Sequence, residues 1–212
     1  MKKLGLALLA GTFLQAAPMP SYAGDKPIFD FADKERWIIR ARAINIDPDE
    51  DSTVTGLAAD VSADDATVPE VDFTYFFSDH IGAELILATA QHDMGTNTGL
   101  DLGDVMILPP TLNLQYHFNP KGTFRPYAGA GLGYIFYYNE DAGASINNIK
   151  YDDGISYSLQ LGMDYGINEH WAINADIKKL YHETDVSING GAITADVDLD
   201  PWIFGLGVAY RF

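Results

Sequence analysis

The chain contains no cysteine, so neither disulfides nor thiolate metal sites are open to it. It is poor in positive charge: 13 lysines and arginines stand against 30 aspartates and glutamates, a formal net charge of −17. So acidic a chain has little with which to neutralise phosphates, which argues against nucleic acid as a partner. Beyond its first residues it has no apolar run near the roughly 18 residues that a membrane-spanning helix needs. Acidic chains are often disordered, but 47% hydrophobic and 12% aromatic content oppose that here. Mean hydropathy is −0.05. That value fits a soluble domain, and it equally fits a membrane barrel, whose lipid-facing and lumen-facing residues cancel in any average.

What is present begins with a targeting pattern. Lys2 and Lys3 precede an apolar run from Leu4 to Leu14, and Ser21-Tyr22-Ala23 supplies the small residues of a signal-peptidase site. The sequence therefore predicts a signal peptide over 1–23, cleaved after Ala23, and one domain over 24–212.

The remainder alternates with a period of two, the signature of strands whose faces meet different surroundings. In Trp37–Ile46, Ile39, Ala41 and Ala43 oppose Arg40 and Arg42. Glu70–Phe77 sets Val71, Phe73, Tyr75 and Phe77 against Glu70, Asp72 and Thr74, and Ile81–Ala90 places Glu84 opposite Leu85 and Leu87. A strand through Leu108-Pro109-Pro110-Thr111 continues with Leu112, Leu114, Tyr116 and Phe118 opposite Asn113, Gln115 and His117. Phe124–Tyr138 sets three glycines, Gly129, Gly131 and Gly133, opposite large apolar residues, and Ile155–Ile167, Trp171–Tyr181 and Trp202–Phe212 complete the set. Short turns at 78–80, 119–122 and 168–170 alternate with four longer, mostly acidic stretches at 47–65, 92–104, 139–153 and 183–200, expected as loops.

Eight strands with unequal turns at the two ends predict an all-β, eight-stranded antiparallel transmembrane β-barrel, an up-and-down meander. A soluble lipocalin-like barrel is the alternative, and it would turn the aromatic face inward. The final strand favours the membrane: Gly207, Tyr210 and Phe212 form a G-x-x-aromatic-x-aromatic ending, like the terminal signal of outer-membrane barrels that the barrel assembly machinery reads. The bacterial outer membrane, with its lipid and lipopolysaccharide, is then the expected location.

Several segments taken in order resemble one family. Leu108-Pro109-Pro110-Thr111 leading to Gln115-Tyr116-His117-Phe118, the run Arg125-Pro126-Tyr127-Ala128-Gly129-Ala130-Gly131, and Asp200-Pro201-Trp202 before Tyr210-Arg211-Phe212 are similar to the outer-membrane protein W (OmpW) family. The likeness extends through Tyr75–Thr89 and Asp164–Asn174. It implies an eight-stranded barrel associated with passage of small hydrophobic molecules, in a family that includes AlkL-like proteins of alkane uptake.

Candidate residues fall into three groups. Arg40, Arg42, Glu70, Asp72 and Glu84 face the lumen and are expected to form a salt-bridge network that plugs it, with a polar gate as the alternative. Pro109 and Pro110 cannot donate to a ladder, so pairing should break there, giving either a plain rim bulge or a lateral exit for apolar solutes. Gly207, Tyr210 and Phe212 form the assembly signal. Nothing points to catalysis or a cofactor. There is no Gly-x-Ser-x-Gly elbow, and of the five histidines only His117 faces the lumen on a strand; His80 and His170 fall in turns and His92 and His182 at loop borders. The acids Asp47, Asp49, Glu50 and Asp51 lack the glycine of a calcium-binding EF-hand loop, and a solvated surface is expected there instead. The expected function is a passive, porin-like channel for small hydrophobic solutes. The rival from another class is a structural or surface-interaction barrel worked by its acidic outer segments. Deleting Phe212 is expected to lower the yield of folded barrel, measured as loss of the heat-modifiable gel band; unchanged yield removes the assembly role.

Overall fold

Alternation of large apolar with polar or small residues decides which way each strand faces, and the apolar face is the exposed one. Leu112 is 57% exposed, Leu159 54% and Leu206 64%, while Arg40 and Glu84 are both 0% exposed. The computed structural model describes residues 30–55 and 60–212; the expected signal segment and its cleavage point lie outside the described residues. A one-turn 3-10 helix at Lys34–Arg36 leads into the strands.

In chain order these are β1 Trp37–Asp47, β2 Glu50–Thr55, β3 Val61–Ala63, β4 Ala66–Phe76, β5 Ile81–Ala88, β6 Ala90–Thr96 and β7 Asp101–Leu108. There follow β8 Thr111–His117, β9 Phe124–Ala142, β10 Ile149–Tyr151, β11 Gly154–Gly166, β12 Trp171–Ile188, β13 Ile193–Leu199 and β14 Trp202–Arg211. Strands β1, β4, β5, β8, β9, β11, β12 and β14 pair antiparallel, each with the next. Strand β14 then returns to β1, from Ile38↔Arg211 to Asp47↔Trp202, so the eight-stranded barrel is closed. Closure is what lipid demands, because a sheet edge in hydrocarbon would leave its N–H and C=O groups unpaired.

The short turns are made locally. Ser78 Oγ accepts from the backbone N–H groups of His80 and Ile81 at 3.3 and 3.1 Å. Asn168 Oδ1 does the same for His170 and Trp171 at 2.9 and 2.8 Å. Aromatic rings gather at both ends of the apolar band. Tyr210 meets Trp171 at 4.9 Å and Phe212 at 5.0 Å near the turns, and Tyr134 meets Phe136 at 4.8 Å near the other end. From Trp202 to Tyr210 the chain advances eight residues. At about 3.3 Å per residue and a tilt of about 40°, that spans about 20 Å, close to the apolar height of such barrels.

The four expected loops require correction. Beyond the aromatic ring the sheet continues: β12 runs to Ile188, β13 and β2 extend its edge, β10 adds to it, and β6, β7, β3 and the end of β9 build the facing wall. This extension has its own apolar interior, formed by Leu102, Val105, Val186, Ile188, Ala195 and Val197 among others. The acids that suggested loops occupy the opposite face, with Glu183 across from Asp198 and Asp185 across from Asp196. Repulsion from Asp196 and Asp198 raises the Glu183 carboxyl above its ordinary range. Acidity on one face of a strand does not prevent burial of the other. Among the described residues the connecting tips are 97–100, 143–148 and 189–192, the last with Asn189, Gly190 and Gly191 all at positive φ; residues 56–59 of the first expected loop lie outside the described residues.

Proteinase K added to intact cells is expected to cut at these tips and to spare Ser78–His80. Cleavage confined to the short turns would invert the orientation.

Candidate functional site

The lumen is built in layers, and the central one is ionic. Strand β1 aims Arg40 and Arg42 inward, and antiparallel register sets them directly across from Asp72 and Glu70 on β4. Glu84 of β5 reaches the same space. Arg40 lies 3.2 Å from Asp72, 3.4 Å from Glu84 and 2.9 Å from Asp164. Arg42 contacts Asp72, and lies 2.9 Å from Glu70, 3.1 Å from Glu84 and 3.1 Å from Asp176. Lys178 completes the layer, 2.8 Å from Glu70 and 3.0 Å from Asp176. All five residues expected in the network are thus together and at most 3% exposed.

Alternation placed Asp164, Asp176 and Lys178 on inward faces but did not reveal them as members. Their partners sit far away in sequence, and only the closed wall brings them across. Nor did it reveal the amides that satisfy the remaining carboxylate oxygens. Gln160 donates to Glu84 at 2.9 Å and to Asp176 at 2.8 Å, and Asn174 donates to Asp164 at 2.8 Å. Two wall glycines make room for these side chains. A Cβ on Gly131 would collide with Asn113 Oδ1, and one on Gly207 would collide with the Ala41 carbonyl oxygen and stand 2.8 Å from the Arg42 Cγ. Gly207 therefore accommodates the network as well as belonging to the terminal pattern, whereas Tyr210 and Phe212 face outward into the aromatic ring.

Above the ionic layer the lumen turns apolar. A cavity of about 100 Å³ opens between the barrel and its extension, walled by Ile44, Ile86, Ile135, Leu180, Ile203 and Tyr137, with Glu70, Lys178, Ser158 and Thr111 also on its lining. His92 lines it too, buried with Nδ1 3.0 Å from the Asp64 carbonyl. His182 is buried in the extension, its Nδ1 3.1 Å from the Ile155 carbonyl. Neither borders a loop, as the sequence suggested, because the strands carrying them continue past the membrane. His117 does face the lumen, below the ionic layer, with Nε2 3.1 Å from Gln115 Oε1. Asp49 pairs with Lys179 at 3.0 Å, and among the described residues no group of three His, Asp or Glu could hold a metal ion.

Pro109 and Pro110 split the expected strand into β7 and β8, collinear along β9. On the β9 side the register carries through, from Leu108↔Phe136 to Thr111↔Gly133, helped by Tyr134 N–H donating to the Pro110 carbonyl at 3.2 Å. On the other side the flanking pairs are Ile86↔Thr111 and Ala90↔Ile107. Residues 87–89 thus face 108–110 with no ladder pairing between them. Pro109 lines the cavity at this seam, while Leu87 and Leu108 face outward.

Removing one partner from a buried ion network strands the other charges, at a cost of about 3–5 kcal/mol. Arg42→Ala is expected to lower the unfolding free energy by that amount, read as a lower urea midpoint, and Lys150→Ala, at the exposed position of β10, to leave the midpoint unchanged. Equal midpoints would place the arginines in solvent.

Residues 33–212 match the family model described as the OmpW family. The chain is 39% identical to outer-membrane protein y4mB of Sinorhizobium fredii, across 83% of this chain and 80% of that protein. It is 34% identical to outer membrane protein W of Escherichia coli over the full length of both. The crystal structure of the outer membrane protein OprG from Pseudomonas aeruginosa superposes with a TM-score of 0.76 at 32% identity, covering 83% of this chain and 95% of that one. The closed barrel, its lipid-facing apolar surface and these relatives agree: the chain belongs to the OmpW family and is a bacterial outer-membrane barrel.

Proposed function

We propose that this barrel passes small hydrophobic molecules across the outer membrane, entering through the extension and leaving sideways through the wall. The observation that carries the reading is the meeting of an apolar cavity with an unpaired seam at Pro109, directly above a layer of ion pairs.

Each part has a physical role. An apolar solute entering the cavity sheds its hydration shell, a gain of about 0.8 kcal/mol per buried CH₂. The ionic layer beneath offers such a solute nothing, since every contact with it would break a buried ion pair or hydrogen bond. Water and sugars meet the same closed layer from above. The remaining way out is the seam, where residues 87–89 face 108–110 without ladder pairing and Pro109 has no N–H to offer. The volume of about 100 Å³ is somewhat below the engineered cavity of about 150 Å³ that takes up benzene. A slim or small occupant fits best. Passage is downhill and passive, into a membrane that dissolves the solute. An interior packed throughout would have favoured a purely structural or surface-interaction barrel; the cavity supports transport instead.

Cells expressing the protein are expected to take up a small hydrocarbon several-fold faster than deletion cells, with sugar uptake unchanged. Pro109→Val with Pro110→Thr supplies a donor at 109 toward the seam and one at 110 toward β9, and should slow hydrocarbon uptake without lowering barrel yield. Normal transport by the sealed variant would refute the lateral exit, and unchanged uptake in deletion cells would refute transport altogether.

A further inference from the structure

The turn end of the bore holds charge that the ionic layer does not absorb. Arg125 on β9 points into the barrel and is 8% exposed, and its Nε has no hydrogen-bond partner among the described residues. Its neighbour across the strands is Asp164. That carboxylate is turned away, 3.2 and 2.9 Å from the Arg40 guanidinium, and takes a further bond from Asn174 at 2.8 Å.

Arg211, near the end of β14, reaches across the mouth. Its Nη1 donates to the Pro120 carbonyl at 3.1 Å, its guanidinium lies 5.1 Å from the centre of the Phe76 ring, and its buried Nε also lacks a partner among the described residues. Arg125 and Arg40 repel it, while Asp164 and Asp79 attract it. Each of those acids already has a cation at close range, Asp164 with Arg40 at 2.9 Å and Asp79 with Lys121 at 2.6 Å. Gly166 lies beside Arg125, where a Cβ would stand 2.6 Å from Nη2, so the missing side chain leaves the guanidinium its place.

Two guanidiniums without an anion of their own, one of them more than nine-tenths buried, are costly in a chain whose formal charge is −17. A guanidinium presents a planar fork of N–H donors that matches the oxygens of phosphate or carboxylate. We propose that Arg125 and Arg211 form an oxyanion-binding site of the phosphate type at the turn end of the lumen. It lies on the opposite side of the ionic layer from the apolar cavity and does not depend on the transport reading. The oxyanion has two possible sources, a soluble phosphate group or the phosphodiester of a phospholipid at the level of the Trp171, Tyr210 and Phe212 ring.

The test is calorimetric titration of inorganic phosphate into the purified full-length barrel in maltoside micelles, which contain no phosphate. Saturable binding is expected, at least about fivefold weaker in Arg125→Gln and in Arg211→Gln, or roughly 1 kcal/mol. Arg125→Lys should bind with intermediate strength, since it keeps the charge and loses the fork. Heat modifiability confirms folding, and removing one of two like charges relieves repulsion. Repeating the titration in nanodiscs containing phosphatidylglycerol separates the sources: a lipid phosphodiester in the site abolishes the free-phosphate signal, and a soluble ligand leaves it intact. Absence of saturable phosphate binding in micelles, or equal affinity in wild type and both glutamine variants, overturns the site.

Discussion

A guanidinium taken out of water has to be surrounded by anions, and in this barrel that requirement reaches from one strand to the whole wall. Arg40 and Arg42 on β1 draw in Glu70 and Asp72 from β4, Glu84 from β5, Asp164 from β11 and Asp176 from β12. The network therefore staples strands that do not touch through their backbones. It also fixes register. A slip of one residue in β1 would turn both arginines out to lipid, where each would cost about 2–4 kcal/mol near the midplane, and would strand their acids inside. The glycines at 131 and 207 serve the same layer, because a Cβ at either would crowd the Asn113 or Arg42 side chain as well as the backbone of the facing strand.

The ionic layer divides the bore into chemically distinct chambers. The apolar cavity lies on the extension side, and Arg125 and Arg211 lie on the side of the short turns. The unpaired seam at Pro109 opens only on the apolar side. This arrangement reconciles a closed lumen with a proposed transport role, since the route never crosses the charged section.

Much of this was legible in the sequence because lipid enforces a strict rule. In Ile155–Ile167 every second residue must be apolar, so direction, span and inward face follow from alternation alone. The five lumen charges on β1, β4 and β5 were legible for the same reason, being neighbours in chain order. Asp164, Asp176 and Lys178 were not, since joining them to Arg40 and Arg42 requires knowing how β11 and β12 come round to β1. The extension was misjudged for a different reason. Ile193–Leu199 alternates as cleanly as any spanning strand, but here water replaces lipid, the acidic face is the outer one, and its charge resembled that of a loop. The same inversion hid His92 and His182, whose strands keep going after the membrane ends.

A bore closed by salt bridges bears on how many copies a cell can carry. A water-filled pore leaks small ions and nutrients in proportion to its abundance, so its number is a compromise between supply and loss. In this barrel Arg40, Arg42 and Lys178 hold the lumen shut with contacts of about 3 Å in the resting protein. If solutes take the proposed route past this layer, crowding such barrels into the outer membrane would leave its electrical resistance and its exclusion of hydrophilic drugs intact, and their density could rise until lipid area became limiting.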